Sequence, residues 1–288
     1  MNPIVIPPEY NYIGVFLTLS CPLKCSYCIN LQNYSRSGMH AIRKPMSTQD
    51  WITALNRIEA TTELPLSLQG GEPTSHPGFY EIINGVNRPM DLLTNCQFNI
   101  QQFLDRVPQQ KFARNAPYAS IRVSYHPEQM ELLDLVDRVS TLFMHGYQVG
   151  VWSVDIPEYK KQLDTAAFMF GQLGISFRTK ELLGKYKGHV YGTYKYKNAV
   201  DVPEKEWKKC LCRTSELLIA PDGSIHRCHS DLYNLRPGIG HVLEEQFTLD
   251  RMYRECSVYG NCSGCDVKIK TNRFQEYGHT SVEIKEIA

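Results

Sequence analysis

The chain has 288 residues, 42% of them hydrophobic and 21% charged, with a formal charge of +1 at pH 7. That length allows one large domain and a small appendage around a sizeable core. The near-zero charge excludes a broad basic footprint for nucleic acid, and no apolar run reaches the roughly 20 residues of a membrane helix.

Met1 to Tyr10 holds prolines and Glu9 where a signal peptide needs a basic start and an apolar centre, so a cytoplasmic protein is expected, with no membrane and no nucleic-acid partner. Its ten cysteines are then thiols or metal ligands. In chain order, β-rich runs at Tyr12–Leu19, Leu64–Gln69, Met90–Thr94, Ala119–Tyr125, Tyr147–Val154 and Gly174–Thr179 alternate with amphipathic segments. This pattern predicts an α/β fold with a parallel sheet, a partial (β/α)6 TIM-like barrel rather than an eight-stranded one. Helix starts are signalled by Ser47 with Asp50, by Pro127 and by Pro157. From about Leu183 the rhythm changes, which divides the chain into a barrel over 1–184, a bridge over 185–209 and a cysteine-rich region over 210–288. In the last of these, Pro221-Asp222-Gly223 separates two short β runs as a hairpin turn.

Cys21, Cys25 and Cys28 follow the first predicted strand in a CxxxCxxC loop. Three thiolates so spaced can hold three corners of a [4Fe–4S] cluster and leave the fourth iron open. A zinc site is the rival reading, but it needs a fourth Cys or His, and His40 lies far along the chain. The second strand ends in Gly70-Gly71-Glu72-Pro73, at the strand end where parallel barrels place their chemistry. Glycines there permit close backbone approach to a ligand, and Glu72 can accept a hydrogen bond from an ammonium group.

These two segments, in this order, resemble the radical S-adenosylmethionine superfamily over roughly residues 12–180. The resemblance implies that the cluster's open iron chelates S-adenosylmethionine and that one electron cleaves it to a 5′-deoxyadenosyl radical. It also implies that the Gly70–Pro73 segment contacts the methionine amino group and that Tyr27 lies near adenine. Asn95, beside Thr94, and Ser124 and His126, beside Tyr125, correspond to further cofactor-lining positions, although a strand end also supplies such residues as ordinary turn chemistry.

Cys212, Gly223 and Cys228, followed by the Cys262-Ser263-Gly264-Cys265 knuckle, make a second set of four thiols. They resemble the SPASM and twitch extensions of the superfamily, which implies an auxiliary [4Fe–4S] cluster in a small hairpin and helix extension. No cysteine follows Cys265, so the single-cluster twitch form fits better. Cys210 is as eligible as Cys212 for the first corner, and Cys256 can replace one of the four. Four thiolates also satisfy zinc. His226 and His229 read as packing residues.

The substrate side has no motif. Arg178 and Lys180 alternate on the sixth strand and would suit a carboxylate or phosphate, and Cys96 is a candidate hydrogen donor against the plainer reading of a buried small hydrophobe. The expected activity is hydrogen abstraction from a small polar metabolite, because no peptide-recognition domain precedes Cys21. Modification of a ribosomally made peptide is the alternative, and a non-enzymatic zinc or electron-transfer protein a remote one. Either enzyme needs an external one-electron donor such as a flavodoxin or ferredoxin.

Overall fold

Each of the six expected strands forms. The computed structural model describes residues 1–32, 44–60, 64–272 and 276–287, so His40 lies outside the described residues. A short strand, β1 (Ile4–Ile6), precedes β2 (Tyr12–Thr18), and the cysteine loop then leads into α1 (Ile29–Gln32) and α2 (Thr48–Asn56). There follow β3 (Ile58–Ala60), β4 (Leu66–Gly70), α3 (Phe79–Gly85), β5 (Met90–Thr94), α4 (Ile100–Arg106), β6 (Ile121–Tyr125), α5 (Leu132–Met144), β7 (Val149–Asp155), α6 (Lys160–Gln172) and β8 (Phe177–Glu181). Strands β2, β4, β5, β6, β7 and β8 are parallel neighbours in that order, as expected of a partial (β/α)6 barrel.

Strand alternation sorts the side chains. Ile13, Val15, Leu66, Leu68, Leu92, Ile121, Val123 and Val151 are buried under the helices in one apolar cluster. The intervening residues, among them Tyr12, Gln69, Arg122, Ser124, Trp152, Arg178 and Lys180, therefore share the concave face. That face is polar, whereas the helix-facing one is aliphatic. Ser47 caps α2 and completes a capping box with Asp50. On α6, Leu163, Ala166 and Phe170 are buried as the spacing predicts.

One helix start differs. The structure opens α5 at Leu132 with Glu131 as N-cap, not at Pro127. The residues in between close a turn, Gln129 N–H to the His126 carbonyl at 2.9 Å, and their side chains are engaged by the cysteine loop.

The C-terminal part begins with a hairpin of β9 (Gly184–Tyr186) and β10 (His189–Tyr191), and continues with β11 (Lys208–Thr214), β12 (Glu216–Ile219), β13 (Ser224–His226), α7 (His229–Tyr233), β14 (Gly240–His241), β15 (Arg254–Tyr259), α8 (Gly264–Val267) and β16 (Val282–Glu286). The hairpin around Gly223, whose φ is +84°, is β12 paired with β13. Strand β12 also lies parallel to β2, so the barrel sheet continues through β12, β13 and β14. Strand β11 instead forms the middle of an antiparallel sheet with β15 and β16. Arg57, at the C-cap of α2, donates to the carbonyls of Asn2, Val242 and Glu244 at 2.8 Å each and of Glu245 at 3.2 Å. No helix among the described residues is long and apolar enough to cross a membrane.

Candidate iron–sulfur and cofactor centre

Cys21 is exposed, Cys25 buried and Cys28 half-buried, and the Cys28 N–H bonds back to the Cys25 carbonyl at 3.2 Å. Burial raises the Cys21 thiol above its usual range, and burial with the neighbouring Cys28 and Glu128 pushes Cys25 up to about 12. Such thiols stay protonated until a metal displaces the protons. Three soft donors on one loop, with Cys21 open to solvent, fit an iron–sulfur cluster that keeps one iron free.

The glycines after β4 do allow a close approach, but to the chain itself. Gly70 has φ +141°, and a Cβ there would sit 2.1 Å from the Thr18 carbonyl oxygen. A Cβ on Gly71 would meet the Ser20 carbonyl oxygen at 2.2 Å. This contact lets the Gly71 and Glu72 N–H groups bond to the carbonyls of Thr18 and Ser20, at 2.9 and 2.7 Å, and so fastens the segment to the start of the cysteine loop. Pro73 then opens a tight helical turn over Pro73–Ser75, and Asn30 Nδ2 donates to the Gly70 carbonyl at 2.9 Å.

Glu72 is only 2% exposed. Its Oε1 accepts from Thr74 Oγ1 at 2.7 Å, Thr74 N at 3.2 Å and Thr94 Oγ1 at 2.8 Å; its Oε2 accepts from Asn95 N at 2.6 Å. Burial raises its pKa, and these donors oppose the rise. Asn95 Nδ2 in turn reaches Cys21 Sγ at 3.6 Å. Glu72, Asn95 and Cys21 thus form one connected line from the second and third strand ends to the cysteine loop. Cys96, by contrast, has φ +60° and is fully buried in the apolar cluster, with burial pushing its thiol up to about 12.

Tyr27 OH and His126 Nδ1 are 3.1 Å apart, with ring centroids at 5.9 Å. Burial lowers the His126 pKa to about 4, so the imidazole is neutral at pH 7. Ser124 lies half-buried on the concave side of β6. Farther round that face, the Arg178 guanidinium lies 5.9 Å from the Trp152 ring. Lys180 keeps solvent contact yet is walled by protein, and this burial, with Arg122, Lys268 and Lys270 nearby, lowers its pKa to about 8.

The second cysteine group is centred on β11 and β15. Cys210 and Cys212 alternate onto one face of β11 with Sγ atoms 3.4 Å apart, and Cys256 is paired in register with Cys210. All three are buried, with sulfurs within 4.8 Å of one another. Hydrogen bonds from Cys210 and Cys212 hold the Cys256 thiol below its usual range. A cavity beside them is lined by Cys212, Cys256, Cys228 and Cys262, with Arg227 and Asp231. Cys265 is not in that lining; the charges acting on it are Asp266, Lys270, Glu216 and Lys180. His226 bonds to Ser224 Oγ at 3.0 Å and His229 to Asp266 Oδ1 at 2.9 Å, as packing residues would. Sequence reasoning missed Glu128 and Gln129, whose only signal is a polar pair after a strand end.

No family model matches the chain. Among curated proteins, it is 24% identical over 146 residues to PqqA peptide cyclase of Bradyrhizobium diazoefficiens, which spans 49% of this chain and 36% of that one. It is 38% identical over 71 residues to the Ruegeria pomeroyi protein of the same name, spanning 25% and 18%. The chain therefore covers little more than a third of the length of the first of these relatives. Among solved structures, anSMEcpe with bound AdoMet superposes with a TM-score of 0.52 at 13% identity, covering 83% of this chain and 75% of that one. This likeness is one of fold.

Proposed function

We propose that this chain, a member of the radical S-adenosylmethionine superfamily, is an enzyme that modifies a peptide by radical chemistry, with the first cysteine loop as its cofactor site and an auxiliary cluster in the C-terminal cysteine cavity. The observation that carries the radical reading is the hydrogen-bonded line from Glu72 through Asn95 to Cys21. It ties an acidic side chain suited to an ammonium group to a thiol suited to iron. The peptide reading rests on the curated relatives, which are named for acting on a peptide, and it displaces the small metabolite expected from the sequence.

A [4Fe–4S] cluster on Cys21, Cys25 and Cys28, when bound, supplies the electron that cleaves S-adenosylmethionine. An external donor such as a flavodoxin or ferredoxin must refill it. The remaining work falls to this chain's side chains. Glu72, whose carboxylate oxygens already accept four hydrogen bonds, receives the methionine ammonium, while Asn95 and Ser124 offer polar edges along the cofactor. Neutral His126 holds the Tyr27 ring beside the loop. Arg178 and Lys180 form no ion pair with a carboxylate among the described residues, and both face the concave side, so they would hold a carboxylate of the peptide.

The auxiliary cluster is assigned to Cys212, Cys228, Cys256 and Cys262, which line one cavity, whereas Cys210 and Cys265 are not in that lining. Anaerobic reconstitution tests the reading. About eight irons per chain, two cubanes, and formation of 5′-deoxyadenosine under dithionite are expected. A short peptide encoded beside the gene should then lose mass by two hydrogens or change stereochemistry. Absence of 5′-deoxyadenosine would sink the radical reading, and turnover of metabolites but of no peptide would sink the peptide one.

A further inference from the structure

The turn after β6 reaches over to the first cysteine loop at three points. Glu128 Oε2 accepts the Ser26 N–H at 2.8 Å and the Ser26 hydroxyl at 3.1 Å. Gln129 Oε1 accepts the Lys24 N–H at 3.3 Å, and His126 bonds to Tyr27. Loop residues on both sides of Cys25 are thus gripped by a segment about a hundred residues later in the chain. This grip also explains why Pro127 does not open α5: the residues after it are drawn to the loop.

The direction of the Ser26 N–H has an electronic consequence. Hydrogen bonds to cluster sulfurs and nearby charge both set the reduction potential. Ser26 is next to Cys25, and both of its donors are committed to a carboxylate, so neither is available to a sulfur. The carboxylate itself is half-buried and forms no ion pair among the described residues, so no partner cation offsets its effect on an added electron. Both effects disfavour the reduced cluster.

We propose that Glu128 is a positioning residue that fixes the first cysteine loop and keeps the reduction potential of a cluster on that loop low. The second half rests on the reading that the loop binds a cluster; the first half does not. Two substitutions separate charge from grip. Glu128→Gln keeps an acceptor for Ser26 and removes the charge, whereas Glu128→Ala removes both.

In the metal-free chain, hydrogen–deuterium exchange over residues 21–28 should quicken at least tenfold in Glu128→Ala and much less in Glu128→Gln. Equal exchange in wild type and Glu128→Ala overturns the positioning role, whether or not any cluster is bound. In the reconstituted chain, the electron paramagnetic resonance signal that changes on adding S-adenosylmethionine reports this loop. At one fixed solution potential, its ratio of reduced to oxidised form should rise about tenfold in Glu128→Gln, equivalent to about 59 mV for a one-electron couple. An unchanged ratio overturns the electrostatic role. If the wild-type loop takes no cluster at all, the function proposed above fails along with the electrostatic half, and exchange still decides the grip.

Discussion

His126 changes its proton affinity on folding, and the sign of the effect is fixed by its burial. The folded pKa is about 4 against an ordinary 6.5, so between those values the unfolded chain binds a proton that the folded chain does not. Stability is therefore fully present above about pH 6.5 and falls as the pH drops toward 4. Full linkage would amount to about 3 kcal/mol, reduced to roughly 1–3 kcal/mol because the ring keeps some solvent contact. Urea unfolding at pH 7 and pH 4.5 should show this loss in wild type and a smaller one in His126→Gln; equal losses would exclude His126 as the source. At this scale the sequence marks Cys21, Cys25, Cys28 and Glu72 as candidates by motif, and the structure brings Glu72 and Cys21 together through Asn95. The sequence was silent on Glu128, because a proline followed by polar residues is also what a helix start looks like.

Among the secondary elements, the pairing of β11 with β15 decides which thiols can meet. Cys256 sits opposite Cys210 because two strands separated by some forty residues align in one register, and no local spacing encodes that alignment. The six barrel strands and the Gly223 hairpin were legible for the opposite reason: period-two alternation and turn residues are properties of short windows. Replacing Cys256 by Ala should remove the auxiliary cluster, leaving about half the iron of the reconstituted wild type. The same change at Cys265 should leave the iron count unaltered. Iron and sulfide analysis checks both, and the reverse pattern would return Cys265 to the ligand set.

Across the whole molecule, Arg57 joins parts that are far apart in the chain. Its guanidinium satisfies carbonyls at Asn2 and at Val242, Glu244 and Glu245, so it binds the N-terminal segment and the β14 return to the end of α2. Arg57→Met would leave those acceptors with no charged donor, at a cost of about 2–4 kcal/mol. Chemical denaturation should show the loss while cluster loading at folding-permissive conditions stays at the wild-type level. A change under 0.5 kcal/mol would mean that water replaces the guanidinium. How the C-terminal region docks was not readable from the sequence, since a short apolar hairpin strand carries no mark of the strand it will join.

That docking sets an order of events during synthesis. Strand β2 borders β4 on one side, but its other neighbour, β12, pairs Leu217 with Ile13 and is translated roughly two hundred residues later. At 5–20 residues per second, about 10–40 s pass while one flank of β2 has no partner. Through that interval the nascent chain presents a bare row of N–H and C=O groups, the kind of edge that recruits strands from other polypeptides. The strand that covers this flank of β2 thus arrives late, and a chain released before Ile219 would be prone to associate with its own copies.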